Sequence, residues 1–457
     1  MTEEEEGEGK QQNEKDNEPF DYNQVDPLAA IGYSAEPGDI YYMNPPQELS
    51  TYPMYIENPQ KIEKKVGTYI SYTLNGTDIT EQMSRRYSDF HALYEKLVQR
   101  WPGVYIPRIP GKKITKNTSR KMIKTRMRLL NRFCLNLSNT DYLYSSDETG
   151  LFKGNTTDLA NAITKLPDFT TEEYLNRLKD AFPQYNENYD ILIGKGKINE
   201  FDLFLKKSLK TIEVFQKSVE SAAEKREHEK KKYVELINGL VDYEKNSMNA
   251  YSDDNNSCLI FNNPAYTELA EKVTKLKEQM INPYTAFKDW LEEEVLDAEA
   301  MSIAIKGINE LIEKEDKYRQ KLDNIEADLK KLEGGGSSLK TLFKKKEDVI
   351  ARKTKEKEEA QEKLDNIALI VKIVADNMES QIESFKNLKT QTYYKYLKIF
   401  AILQRESNRV IRELWALVRT ALNEVAPNVS QSNEDYVAQP ISNEQNDEEQ
   451  VDAEGEG

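Results

Sequence analysis

Apolar positions along this chain keep two rhythms. Between Met54 and Arg86 they come in short runs rich in Tyr, Ile and Thr, and from Phe90 onward they return every three or four residues. Met54–Glu57 and Gly67–Leu74 read as strands, Asn75-Gly76 is a strong hairpin signal, and a third strand runs from about Glu81 to Arg86. Phe90, Leu93, Tyr94 and Leu97 mark one face of a helix over 90–99, stopped by Trp101-Pro102-Gly103. A Pro107–Pro110 loop leads to a second helix over about 119–137. There Met122, Leu129, Leu130, Phe133 and Leu137 face inward, and Lys124, Arg126 and Arg128 are expected outside.

Residues 154–196 mix Asn, Thr, Pro and Tyr around one short helix at about 171–181, and read as a linker. From Lys197 the helical rhythm is almost continuous. Phe201, Phe204, Leu205, Ile212, Phe215 and Val219 form a stripe opposite Lys206, Lys207, Lys210 and Lys217. That stripe suits either a helix lying in a membrane interface or the first helix of a bundle. A second helix, over about 266–333, carries Met301, Ile305, Ile308 and Ile312, then Leu322, Ile325, Leu329 and Leu332, spaced as in a coiled-coil seam. Pro283 is expected to kink it, and Gly334-Gly335-Gly336-Ser337-Ser338 to end it. A third helix, over about 341–422, repeats Ile367, Ile370, Val374, Met378, Ile382, Phe385 and Leu388, then Tyr396, Phe400, Leu403, Ile411 and Trp415. Some 80 helical residues reach ~120 Å, and one thin bundle cannot bury such a seam alone, so pairing of two chains is expected.

Charge divides the chain. The net charge of −16 hides tails of −11 over residues 1–50 and −10 over 423–457, while residues 52–153 hold 18 bases and 9 acids. The tails read as disordered and the body as seeking an anionic partner. Aromatics are not interleaved with the basic clusters as in nucleic-acid modules, so nucleic acid is not an expected partner. No Walker loop, kinase set, G-x-S-x-G or His/Cys constellation is present, so no catalytic residue, metal site or cofactor is assigned. The lone Cys134 and Cys258, an acidic start and the lack of a long apolar run together suggest a cytoplasmic protein that meets membranes peripherally.

The cationic chemistry gathers around R-R-Y-S-D-F at 85–90 and I-P-R-I-P-G-K-K at 106–113, followed by Lys124, Arg126 and Arg128. Guanidinium groups match phosphate oxygens, and an aromatic face packs on a sugar ring. The order and spacing resemble the PX domain of the sorting nexins over about 100 residues, and E-N-P-Q-K at 57–61 resembles their strand-one turn. The resemblance implies an α+β module of three antiparallel strands plus helices, over 52–153. It implies that Arg86 holds the 3-phosphate of phosphatidylinositol 3-phosphate, Tyr87 packs on the inositol ring, Lys112 reaches the 1-phosphate and Arg126 takes the 4- and 5-hydroxyls. Arg85 and Lys113 would support them, although Arg85 in that family more often serves the fold.

Three long helices with a glycine tip over 197–424, and F-K-x-L-K…Y-Y-K-Y-L-K…W at 385–415, resemble the BAR domain of the same nexins. That implies an elongated all-α dimer, with itself or with another PX-BAR nexin. Lys206, Lys207 and the tip lysines Lys344, Lys345 and Lys346 would face an anionic membrane. Retromer or cargo would be further partners, the early endosome the location, and curvature sensing or generation for sorting, recycling or retrograde transport the function. The alternative is a coiled-coil tether addressed by its PX domain. Liposome tubulation separates the two.

Overall fold

The computed structural model describes residues 51–64, 67–112, 119–251, 259–333 and 346–426. The first acidic tail, Lys113, Cys258, the glycine tip with Lys344 and Lys345, and residues 427–457 lie outside the described residues.

Three antiparallel strands, β1 (Tyr55–Lys64), β2 (Gly67–Asn75) and β3 (Met83–Arg86), pair in the order β1-β2-β3. Ile56, Ile70, Tyr72 and Leu74 send their side chains to the core. The E-N-P-Q-K segment, expected as a turn, lies inside β1. Asn58 takes a φ of 49° and the pairing slips between Glu57 and Gln60, so the residues around Pro59, which has no N–H for the ladder, form a bulge. Asn75-Gly76 is not a tight hairpin either, since residues 76–82 separate β2 from β3. At Gly76 a Cβ would run into the Pro53 carbonyl, and the Thr77 N–H donates to the Tyr52 carbonyl at 3.0 Å.

Helix α1 (Tyr87–Arg100) begins three residues before Phe90, because the Asp89 carboxylate accepts the Arg86 N–H at 2.9 Å. Helix α2 (Arg120–Ser138) buries Ile123, Met127, Leu130, Phe133, Cys134 and Leu137. Met122, expected inward, is only half-buried and Ile123 takes that place. Phe90 meets Phe133 and Phe152 edge-on, closing the core. Short helices α3 (Asp141–Tyr144), α4 (Asp147–Lys153) and α5 (Leu159–Thr164) lead to α6 (Thr171–Ala181). Arg100 and Arg177 both pair with the fully buried Glu148, at 3.1 and 2.9 Å, which ties α6 to the module.

The long helices are α7 (Ile191–Tyr243), which continues through a π-turn at Glu244–Met248 into α8 (Asn249–Tyr251), then α9 (Thr267–Gln279), α10 (Tyr284–Glu333) and α11 (Lys346–Val425). Instead of one kinked helix at Pro283 there are two. Pro283 has no N–H to continue α9, and Asn282 Oδ1 accepts from the Tyr284 N–H at 3.1 Å to start α10.

The chain divides into two compact units. The first holds residues up to 219 together with 285–398. Its helical seam buries Met301, Ile305, Ile308, Leu322, Ile325, Leu329 and Leu332 of α10 with Ile367, Ile370, Val374, Met378 and Ile382 of α11. Past Ile382 the expected α11 stripe is covered only in part, with Leu403 buried and Leu388 left open. Leu388 is 54% exposed, and Tyr394 and Leu397 are also open. The second unit, residues 220–284 and 399 onward, is cored by Ile237, Leu269, Leu276, Met280, Val410, Leu414 and Val418. The buried Glu244 carboxylate accepts from the backbone N–H groups of Ile260, Phe261 and Asn262, at 2.9, 2.7 and 3.1 Å, and closes its connecting turn.

Candidate functional site

The site begins with the alternation of β3. Successive side chains of a strand point to opposite faces, so Met83 and Arg85 turn inward while Ser84 and Arg86 turn outward. Arg85 is 5% exposed and donates to the Phe152 carbonyl from Nε and Nη2, at 3.0 and 2.8 Å, and to the Gly154 carbonyl at 2.7 Å. Burial lowers its pKa, with the Asp89 charge acting the other way. Arg86 keeps 45% of its side chain exposed, steadied by Asp89 Oδ1 at 3.4 Å and lying 5.8 Å above the Tyr69 ring. One arginine is thus committed to carbonyls, while its neighbour is presented to solvent.

Tyr87, the first residue of α1, donates its hydroxyl to the Pro110 carbonyl, which fixes the ring against the Pro-rich loop. Over that ring, at 4.8 Å, lies the guanidinium of Arg126 from α2. Burial raises the Tyr87 pKa, opposed first by Arg126 and then by Arg108. Burial likewise pushes the Tyr72 hydroxyl up to about 12, with the charge of Arg126 pulling it back. Lys112 is exposed and lines a cavity of about 270 Å³ with Tyr87, Ser88, His91 and Glu95. Arg126 and Tyr87 therefore stand together, Lys112 shares a cavity wall with Tyr87, and Arg86, next to Tyr87 in the chain, faces outward over Tyr69, while neither Arg86 nor Arg126 lines that cavity. Cations around one aromatic face can receive a phosphorylated ring.

The other basic residues fall elsewhere. Arg128, expected outside with Arg126, is 7% exposed and pairs with Asp289 at 3.3 Å, Glu292 at 2.9 Å and Glu293 of α10. Two residues along a helix turn a side chain to nearly the opposite face, so Arg126 and Arg128 cannot serve one pocket. Beside it, Arg132 pairs with Asp297 at 2.5 Å and with Glu293 at 3.4 Å. Arg108, inside the I-P-R-I-P run, pairs with Glu299 at 2.7 Å. Its partner signal in the sequence is the acidic run from Asp289 to Glu299, nearly 200 residues away. Lys206 and Lys207 are exposed on α7, with Lys206 held by Asp202 at 2.6 Å. Lys346 opens α11. Among the described residues no cluster of His, Cys, Asp or Glu is able to hold a metal ion, and no helix is long and apolar enough to cross a membrane.

Residues 75–152 match the family model of the PX domain. No curated protein gives a match. Among solved structures, the cryo-EM structure of the SNX-BAR Mvp1 tetramer is similar, with a TM-score of 0.51 and 14% identity, covering 80% of this chain and 99% of that one. That likeness is one of fold.

Proposed function

We propose that this chain, which carries a PX domain within a PX-BAR sorting-nexin fold, binds phosphatidylinositol 3-phosphate on the cytosolic face of early endosomes. Arg86 would hold the 3-phosphate, Tyr87 pack against the inositol ring, Lys112 reach the 1-phosphate, and Arg126 take the remaining hydroxyls. The observation that carries this reading is the split of the arginine pair. Arg85 is consumed by the Phe152 and Gly154 carbonyls, whereas Arg86 is presented outward on β3, whose next residue is Tyr87, with the Arg126 guanidinium over its ring.

The helical body supports pairing with a second chain of this kind. Tyr394 is 63% exposed and Leu397, three residues on and on the same face, 41%, and side chains of that size left open side by side on α11 call for a partner surface. The similar solved structure is itself a tetramer. Two weak headgroup sites on one dimer, together with basic helix faces, act through effective concentration. The dimer would then sense or generate curvature for endosomal sorting, recycling or retrograde transport. Flotation with liposomes that contain or lack phosphatidylinositol 3-phosphate, followed by electron microscopy, tests the reading. Binding that needs the lipid, is lost in Arg86→Ala and produces tubules supports it. Binding without deformation leaves a tether, and lipid-independent binding overturns the pocket.

A further inference from the structure

We infer that the acidic face of α10, and Glu299 foremost, is a positioning surface for the headgroup pocket. It holds two of the pocket's walls in place although none of its carboxylates lies in the pocket. The inference rests on the reading of Arg86, Tyr87, Lys112 and Arg126 as that pocket.

One side of the pocket is internal to the PX module. Arg86 is steadied by Asp89, and Tyr87 follows it at the start of α1. The other side is not. Lys112 lies two residues past Pro110 in the Pro-rich loop and Arg126 rides on α2, and α10 holds both of these elements. In the loop, Arg108 pairs with Glu299 at 2.7 Å and the Tyr105 hydroxyl donates to Asp297 at 3.4 Å. Two residues beyond Arg108, the Pro110 carbonyl receives the Tyr87 hydroxyl, and the ring of Tyr87 underlies Arg126. On α2, Arg128 pairs with Glu292 at 2.9 Å and Arg132 with Asp297 at 2.5 Å, on the face away from Arg126. A helix is rigid over two residues, so wherever α10 sets Arg128 it also sets Arg126. Charge-assisted recognition of a phosphate demands placement within about half an ångström, and an unanchored loop and helix do not supply it.

The sign of the effect separates positioning from simple electrostatics. A carboxylate near an anion site opposes the anion, so neutralising Glu299 should tighten binding if charge alone matters. If Glu299 holds the loop, its neutralisation weakens binding. The test is titration calorimetry of the full chain with short-chain soluble phosphatidylinositol 3-phosphate, and with the 4-phosphate isomer, at physiological salt. Glu299→Gln is expected to lower affinity for the 3-phosphate about fivefold or more and to narrow its preference over the isomer, with the melting temperature unchanged. Glu293→Gln, at the α2 arm, is also expected to lower affinity, but it breaks a buried pairing with Arg128 and Arg132 and is expected to lower the melting temperature too, so Glu299→Gln carries the test. Glu310→Gln removes an equal charge from an exposed position on the same helix, paired among the described residues to Lys306, and is expected to change neither. Equal or tighter binding by Glu299→Gln, or a loss matched by Glu310→Gln, overturns the inference. So does a loss of affinity in Glu299→Gln that appears only with a fall in melting temperature. Arg86→Ala, run alongside, tells the two readings apart. If it binds like the wild type, the pocket itself is misassigned and both fall. If it fails to bind while Glu299→Gln binds normally, only the positioning role falls.

Discussion

Gly103 and Gly307 meet backbone to backbone. A Cβ on Gly307 would stand 3.1 Å from the Cα of Gly103, and one on Gly103 would stand 3.1 Å from Ile308 Cγ1 and 3.3 Å from Leu311 Cδ1. Gly103 also takes a φ of +83°, which side-chain-bearing residues rarely adopt. The loop that begins at Trp101 is thus seated directly on α10 at Gly103.

That closeness makes Gly307 intolerant. Gly307→Ala gains helix propensity, yet its methyl group meets backbone that has nowhere to go, so it is expected to cost about 1–3 kcal/mol. Gly239, inside α7, has open space around a notional Cβ. Gly239→Ala is expected to stabilise by about 0.5–1 kcal/mol. Thermal melts of the two variants give the comparison, and a neutral Gly307→Ala contradicts the contact.

The arginine pair should separate stability from binding. Arg85→Ala leaves the Phe152 and Gly154 carbonyls without their buried donors and is expected to lose about 1–3 kcal/mol. Arg86→Ala removes a half-exposed side chain and is expected to shift stability by no more than about 0.5 kcal/mol. Denaturant titration measures both, and an Arg86 variant as unstable as the Arg85 variant would contradict the division.

Asp289 predicts a pH effect. Burial, reinforced by Glu292 and Glu293, raises its carboxyl to about 6 against the pull of Arg128. The folded state therefore holds this proton more tightly than the unfolded state does. Its contribution to stability is present below the unfolded carboxylate range and is lost as pH rises through about 6. Asp289→Asn is expected to be more stable than the wild type by about 1–2 kcal/mol at pH 7.5, with the gap closing towards pH 4. Stability measured at several pH values checks this, and a destabilised variant at pH 7.5 contradicts it.

The open stripe of α11 bears on assembly. Leu397→Glu and Tyr394→Glu place charge on side chains that are 41% and 63% exposed. They are expected to leave the helical circular dichroism unchanged while shifting the chain to monomer. Analytical ultracentrifugation over a range of concentrations reads the change, and variants that sediment like the wild type would place the pairing surface elsewhere.

Much of this architecture was legible in residue patterns because periodicity reports which faces are apolar. The three strands, the helix stop at Trp101-Pro102-Gly103 and the α10–α11 seam from Met301 to Leu332 belong to that class. What covers an apolar face is a separate question. Leu388 continues the α11 rhythm and is nonetheless exposed, since period alone does not distinguish an internal seam from an outer one. Arg128 and Arg126 are both basic and close in sequence, and local pattern alone assigns them to one exposed face. The partners of Arg128 lie over 160 residues away, on a helix whose docking no local pattern reveals. Pro283 inside a helical rhythm reads as a kink, and only Asn282 capping the next helix makes it a stop.

The most direct test of the central claim is calorimetric titration of the purified chain with soluble phosphatidylinositol 3-phosphate, for the wild type and for Arg86→Ala. Saturable binding of one headgroup per chain, absent in a variant that melts at the wild-type temperature, is the predicted result. Heats that do not distinguish the two proteins, or wild-type binding that does not distinguish the 3-phosphate from unphosphorylated phosphatidylinositol, would contradict it.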